Sequence, residues 1–150
     1  AMEQKSPNAT RSVFTSPGWD YEWKMAQPKC RSVIDPFCPK CRRWVCITWT
    51  TSVKITPTYD AKVKKGVLIL PGLLAHEQGH VDISDQFASM TESALKAVIG
   101  VGTDCSKGRA SLNARDNWDQ NMQRVFDAGF LATEAAQALY DLVTGHGTYE

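Results

Sequence analysis

Leu73-Leu74-Ala75-His76-Glu77-Gln78-Gly79-His80-Val81-Asp82-Ile83-Ser84-Asp85-Gln86-Phe87 begins a stretch that runs to Ile99 with neither a proline nor a β-rich run. Leu73, His76, His80, Phe87, Met90, Ala94 and Val98 recur in it at helical steps, as residues on one buried face would. The reading is one long helix, or two abutting ones, closed by Gly100-Val101-Gly102, because glycine commonly ends helices. Gly79 sits inside this helix although glycine costs about 1 kcal/mol there against alanine. Its presence implies close approach of another group to that face.

Upstream, the pattern is that of strands. Trp44 to Tyr59 is rich in Val, Ile, Thr and Trp; Val45, Ile47 and Trp49 share one face, and Val53 and Ile55 continue that parity. Pro57 marks an end, an edge or a bulge. Trp19 to Met25 alternates aromatic and polar residues and predicts a short strand, and Gly66 to Leu70 predicts another. Downstream, Asp104 to Gly108 reads as a loop. A helix follows from about Ser111 to Ala128, with Trp118, Met122, Val125 and Phe126 on its buried stripe and Gly129 breaking it. Thr133 then caps a third helix that runs to about Val143 and stops at Gly145. The fold class is therefore α+β: a small, mostly antiparallel N-terminal sheet packed on a long helix, with two further C-terminal helices. Residues 1–18, with Pro7, Ser16, Pro17 and Gly18, read as a flexible tail, and residues 19–150 as a single domain.

Composition narrows the partners. A formal net charge of +1 gives no support for nucleic acid. The short basic clusters at Lys40, Arg42, Arg43 and at Lys62, Lys64, Lys65 read as solvated faces. The longest apolar stretch, Val67 to Ala75, is interrupted by Pro71 and Gly72 and falls short of the roughly 20 residues that cross a bilayer. No membrane or nucleic-acid partner is expected, and the chain is expected to be a monomer. There are five cysteines, with Cys30, Cys38, Cys41 and Cys46 close together and Cys105 apart. Disulfides in an oxidising compartment are the favoured reading, and a structural zinc on the four thiolates is the alternative. A thioredoxin-like role for Cys38 and Cys41 fits less well, since Pro36 and Pro39 predict a turn where that chemistry uses a strand-to-helix junction. The chain opens on Ala1-Met2 without a leader, as a trimmed mature sequence would. A secreted or periplasmic location, with the export signal removed, is the expectation.

The chemistry concentrates at His76-Glu77-Gln78-Gly79-His80. On a helix, residues four apart lie on nearly the same face, about 6 Å apart along the axis. His76 and His80 can therefore bind one metal ion through neutral imidazoles. Glu77 comes beside the ion without having to ligate it, where a carboxylate can take a proton from a metal-activated water. Catalytic zinc needs a third protein ligand and an open fourth position. The metzincin continuation is absent, since Ile83 and Gln86 stand where its glycine and last histidine would fall. Glu134 on a later helix is a possible carboxylate ligand, and Glu92 is less suitable because about three helical turns separate it from His80. His146, the last of three histidines in the chain, lies in the glycine-flanked Thr144-Gly145-His146-Gly147 and is the better candidate.

His76-Glu77-Gln78-Gly79-His80-Val81-Asp82-Ile83 and Tyr140-Asp141-Leu142-Val143-Thr144-Gly145-His146-Gly147 together resemble a bacterial family described as predicted secreted zinc-dependent proteases (domain of unknown function 922). That family pairs a zincin helix with a late segment of the form Tyr-Asp-x-x-Thr-x-His-Gly. Ile47-Thr48-Trp49 is loosely similar to its upstream Thr-x-Trp strand, and the cysteine-rich loop has no counterpart in its pattern. The resemblance covers residues 67–147. It implies a zincin-like fold and one catalytic zinc ion on His76, His80 and His146, with Glu77 as general base. It also singles out Asp141, as a carboxylate that orients a ligand histidine, and Tyr140, as an oxyanion donor for which Tyr149 is a rival. The expected activity is hydrolysis of a protein or peptide substrate, held as an extended strand along the edge offered by residues 44–56 or 66–70. The alternatives are a cell-wall peptide amidase using the same zinc chemistry and a cysteine-stapled, non-catalytic metal-binding or interaction module.

Overall fold

The computed structural model describes residues 3–5, 18–58 and 71–145. Among the described residues, five strands and two helices follow in chain order: β1 (Glu3–Lys5), β2 (Gly18–Met25), β3 (Lys29–Asp35), β4 (Cys38–Thr58), α1 (Pro71–Lys96), β5 (Ile99–Asp104) and α2 (Lys107–Thr144). The strands form one sheet in the order β1-β2-β4-β3, with β5 also paired to β4. The architecture is α+β with a small antiparallel sheet, as the sequence predicts. β1 falls within the stretch read as a tail. The predicted strand at 66–70 lies outside the described residues.

The described residues cluster in two compact units, one of residues 3–4, 23–53 and 93–126, the other of 5, 18–22, 54–58, 71–92 and 127–145. In the first unit the cysteine-rich stretch is an antiparallel hairpin and not a loop. Cys30 faces Cys46 in the β3–β4 register, and the two sulfurs are bonded at 2.00 Å. Cys38 is likewise disulfide-bonded, and Cys105 is free and exposed. Cys30 and Cys46 thus have no thiolate to offer a metal, which rules out the four-thiolate zinc alternative. Asp35 Oδ1 accepts the Phe37 N–H at 2.9 Å and closes the hairpin turn. β4 pairs with β3 on one side and β5 on the other over residues 44–47, so this part of the segment expected to hold substrate is interior and not an edge.

β5 replaces the predicted helix end. Its glycines alternate with Ile99, Val101 and Thr103, and Gly100 and Gly102 are buried. A Cβ on Gly100 would collide with the Ala114 carbonyl and the Trp118 Cβ, and one on Gly102 with the Ala114 amide. The glycines let a helix lie against the strand and do not end one. Cys46, Ala110 and Ala114 form the core there, with Cys30 and Trp44 packed against it. Trp118 Nε1–H donates to Thr50 Oγ1 at 3.0 Å, a partner that a buried indole needs. Along β4 the buried set changes parity: Cys46, Thr48 and Thr50 are buried, then Thr51 and Ser52 are exposed, then Val53 and Ile55 are buried. Ile47 is exposed, and Val45 and Trp49, which share its face, are only partly buried.

In the second unit α1 buries His76, Glu77, His80, Ser84, Ala88 and Thr91 at helical steps. The predicted stripe differs beyond His80; Met90, for instance, is 58% exposed. The buried positions there carry small or hydroxylated residues that a hydropathy pattern passes over. Ser84 Oγ accepts the Trp19 Nε1–H at 3.0 Å. Thr91 packs where a Cβ on Gly129 would sit. That contact explains why the two expected C-terminal helices are one helix of 38 residues. Gly129 accommodates Thr91 inside a continuous helix, and its cost of about 1 kcal/mol is offset by packing. Thr133, read as a cap, donates its hydroxyl to the Gly129 carbonyl one turn back at 2.9 Å.

Candidate metal centre

α1 supplies His76, Glu77 and His80, all buried, and α2 supplies Asp141, which is partly exposed. Asp141 Oδ1 lies 2.9 Å from His76 Nε2 and 2.6 Å from His80 Nε2. The three donor atoms lie within 4.8 Å of one another, and the group can hold a metal ion. The helical spacing of the histidines provides half of this arrangement. The other half comes from α2, where Gln137, Tyr140, Asp141 and Thr144 fall on one face at steps of three and four.

The far side of each imidazole is also engaged. His80 Nδ1 lies 2.5 Å from Gln137 Oε1, while Gln137 Nε2–H donates to the His80 carbonyl at 2.8 Å. The amide donor being used, Oε1 faces the ring as an acceptor, so Nδ1 carries the proton. Thr144 Oγ1 donates to the Tyr140 carbonyl at 2.7 Å and lies 3.0 Å from His76 Nδ1. Its one proton is thus committed, and His76 Nδ1–H donates to the oxygen. Both neutral rings therefore turn an Nε2 lone pair toward a carboxylate oxygen. Such a cluster of acceptors requires a cation among them, a metal ion or added protons. The residues present fit a divalent metal with two imidazoles and one carboxylate, each imidazole oriented through its second nitrogen.

Tyr140 packs on both histidines. Its ring stacks on His76 with centroids 4.8 Å apart and 14° between the planes, and it meets His80 edge-on, also at 4.8 Å. Its hydroxyl donates to the His76 carbonyl at 3.0 Å. A Cβ on Gly79 would collide with that hydroxyl and with Cζ. The close approach that Gly79 implies is thus made by Tyr140. The hydroxyl read as an oxyanion donor is engaged with the backbone of α1. Burial pushes the Glu77 carboxyl above the usual glutamate range; His80 and His76 pull it down, and Asp141 adds to the rise.

His146 and Tyr149 lie outside the described residues. Glu134 is exposed, and Glu92 is not among the donors that converge on the histidines. Asp141, expected to orient a histidine, lies on the Nε2 side, where a ligand sits. The orienting positions belong to Gln137 and Thr144. Thr144 stands in the late motif, whereas Gln137 has no signal beyond being one turn before Asp141. No described helix is long and apolar enough to cross a membrane. Comparison of the chain with protein-family models, curated proteins and solved structures finds no match. The family resemblance therefore rests on the quoted residues.

Proposed function

We propose that this chain is a zinc-dependent peptidase in which His76, His80 and Asp141 hold one zinc ion and Glu77 is the general base. The observation that carries the reading is the convergence of two Nε2 lone pairs and one carboxylate oxygen whose imidazoles are fixed from behind. When bound, zinc supplies the positive charge that acidifies water and polarises a peptide carbonyl. His76 and His80 bind through Nε2 as neutral donors, held in that tautomer by Thr144 and Gln137. Glu77 sits beside them in a dry setting that raises its proton affinity. Its carboxylate takes the proton of the attacking water and hands it to the leaving nitrogen. A zinc ion held by three protein ligands would keep one position for substrate, as a catalytic site needs. The paired motifs at 76–83 and 140–147 support the same reading, and the Cys30–Cys46 disulfide is compatible with work outside the cytoplasm.

Metal analysis of purified protein, paired with cleavage of casein or a peptide library, tests it. Wild type should hold about one zinc per chain, and Glu77→Gln should keep the metal and lose cleavage. Equal cleavage by both proteins would sink the general-base role. Metal binding without cleavage in either would favour the non-catalytic metal-binding module. Asp141→Asn should release the metal more readily than His146→Ala; the reverse order would give the third position to His146.

A further inference from the structure

The β3–β4 hairpin is charged out of keeping with the rest of the chain. Residues 29–47 hold five basic residues, Lys29, Arg31, Lys40, Arg42 and Arg43, and one acid, Asp35, whereas the whole chain is near neutral at +1. That acid is committed within the turn: Oδ1 accepts the Phe37 N–H at 2.9 Å, and Oδ2 lies 3.8 Å from an Arg43 nitrogen. At the end of the hairpin the apolar residues stand in solvent. Phe37 is 96% exposed, the most among the large hydrophobic residues described, and Ile34 is 61% exposed. Pro36 between them is exposed as well. A phenylalanine held in water by a closed turn adds nothing to the core, and with Ile34 it makes an apolar tip.

The register places cations just behind this tip. Arg42 pairs with Ile34 across the ladder and Arg43 with Val33, and both arginines are exposed. Successive strand residues point to opposite faces, so one guanidinium stands on each face of the hairpin. Arg31, also exposed, lies two residues behind Val33, about 7 Å further back. From Ile34 to Pro36 an extended chain advances about 7 Å, which matches the roughly 5–10 Å to which interfacial segments sink. We propose that this turn docks the protein on an anionic phospholipid bilayer, with Phe37 and Ile34 inserted and Arg42 and Arg43 at the phosphates. Apolar burial and attraction to anionic lipid together give reversible attachment. Charge on both faces of a protruding tip suits a headgroup layer, which surrounds what enters it, whereas a protein partner would meet one face. Single-stranded nucleic acid is held in a cationic groove by aromatic platforms, and Ile34 offers no ring to stack on a base. The sequence predicts no membrane partner because no segment is long enough to span a bilayer, but attachment through a turn needs no span.

Flotation of the purified protein with vesicles of equal parts phosphatidylglycerol and phosphatidylcholine tests the proposal, with pure phosphatidylcholine vesicles beside them. Wild type should bind the mixed vesicles and bind the neutral ones at least about tenfold more weakly. Phe37→Ser should weaken binding to the mixed vesicles by about tenfold or more. Phe37→Leu keeps an apolar tip and should stay within about threefold of wild type. Arg42→Gln and Arg43→Gln should each cost about fivefold. All four positions changed are exposed side chains of the turn region, so the melting temperature of each variant should match wild type. Absence of binding to the mixed vesicles would overturn the proposal. So would binding indifferent to Phe37→Ser, which is adsorption by charge alone, or a Phe37→Leu variant as weak as Phe37→Ser. Tighter capture by soluble polyglutamate or a single-stranded oligonucleotide than by the vesicles would also overturn it, in favour of an acidic protein or a nucleic acid.

Discussion

His80 and Gln137 grip one another twice: the imidazole Nδ1 lies 2.5 Å from Gln137 Oε1, and the amide Nε2 donates to the His80 carbonyl at 2.8 Å. The second bond orients the amide, and the oriented amide selects the tautomer of the ring. Gln137→Ala should leave the donor set intact but let His80 rotate and take either tautomer. Zinc affinity, measured by competition with a chromophoric chelator, is expected to fall about 10- to 100-fold. An affinity within twofold of wild type would mean that His80 is held by packing alone.

Gly79 and Tyr140 form a second coupled pair. Gly79→Ala puts a methyl group where the tyrosine hydroxyl and Cζ lie, and the ring must leave its stack on His76. Overpacking of this kind costs about 1–3 kcal/mol. Tyr140→Ala removes the obstacle, so Gly79→Ala added to it should cost far less than in wild type. A double-mutant cycle by chemical denaturation reads the coupling. Additive costs would show that Tyr140 does not set the identity of residue 79.

How much of this was legible follows from what each residue answers to. His76, Glu77 and His80 lie on one helix, and their spacing alone brings them together. Asp141 entered through the late motif with Tyr140 and Thr144, but its side of the imidazoles is a matter of tertiary geometry. Gln137 contacts a residue 57 positions away and leaves no local pattern. The helix break expected at Gly129 and the helix end expected at Gly100-Val101-Gly102 are absent for one reason. Glycine signals both a conformational stop and a steric gap, and at these positions Thr91, Ala114 and Trp118 occupy the gap. The buried stripe of α1 departs from the hydropathy pattern beyond His80 because Ser84, Ala88 and Thr91 are buried without being strongly apolar.

Asp119 gives a pH-dependent prediction. Burial, and then the neighbouring Asp116 charge, hold its carboxyl above the ordinary aspartate value of 3.8. The folded state thus binds this proton more tightly than the unfolded state. Its contribution is fully present below the ordinary value and is lost as pH rises through the raised one. Asp119→Asn carries no such loss. The melting temperature of the variant minus that of wild type should grow as pH climbs from about 3.8 toward neutrality. A difference that stays flat or shrinks over that window would contradict the burial argument.

Beside β5, α2 carries a ladder of asparagines one helical turn apart. Asn113 Nδ2–H donates to the Thr103 carbonyl at 3.1 Å, Asn117 Oδ1 accepts the Val101 N–H at 2.9 Å, and Asn121 Nδ2–H donates to the Ile99 carbonyl at 3.1 Å. These are the backbone groups that β5 turns away from β4, and the side chains take the place of a further strand. A strand edge covered in this way is closed to β-addition, by substrate or by another chain. Asn117→Ala leaves the Val101 N–H without its partner and should cost about 1 kcal/mol. Replacing Asn113, Asn117 and Asn121 together by alanine should do more than add three such costs. It opens an edge bearing Ile99 and Val101, both exposed, to pairing between molecules. The triple variant is expected to gain thioflavin-T-positive aggregation on mild heating at concentrations where wild type stays clear. A triple variant that loses stability yet stays soluble would show that the asparagines serve only as hydrogen-bond partners and not as a guard on the edge.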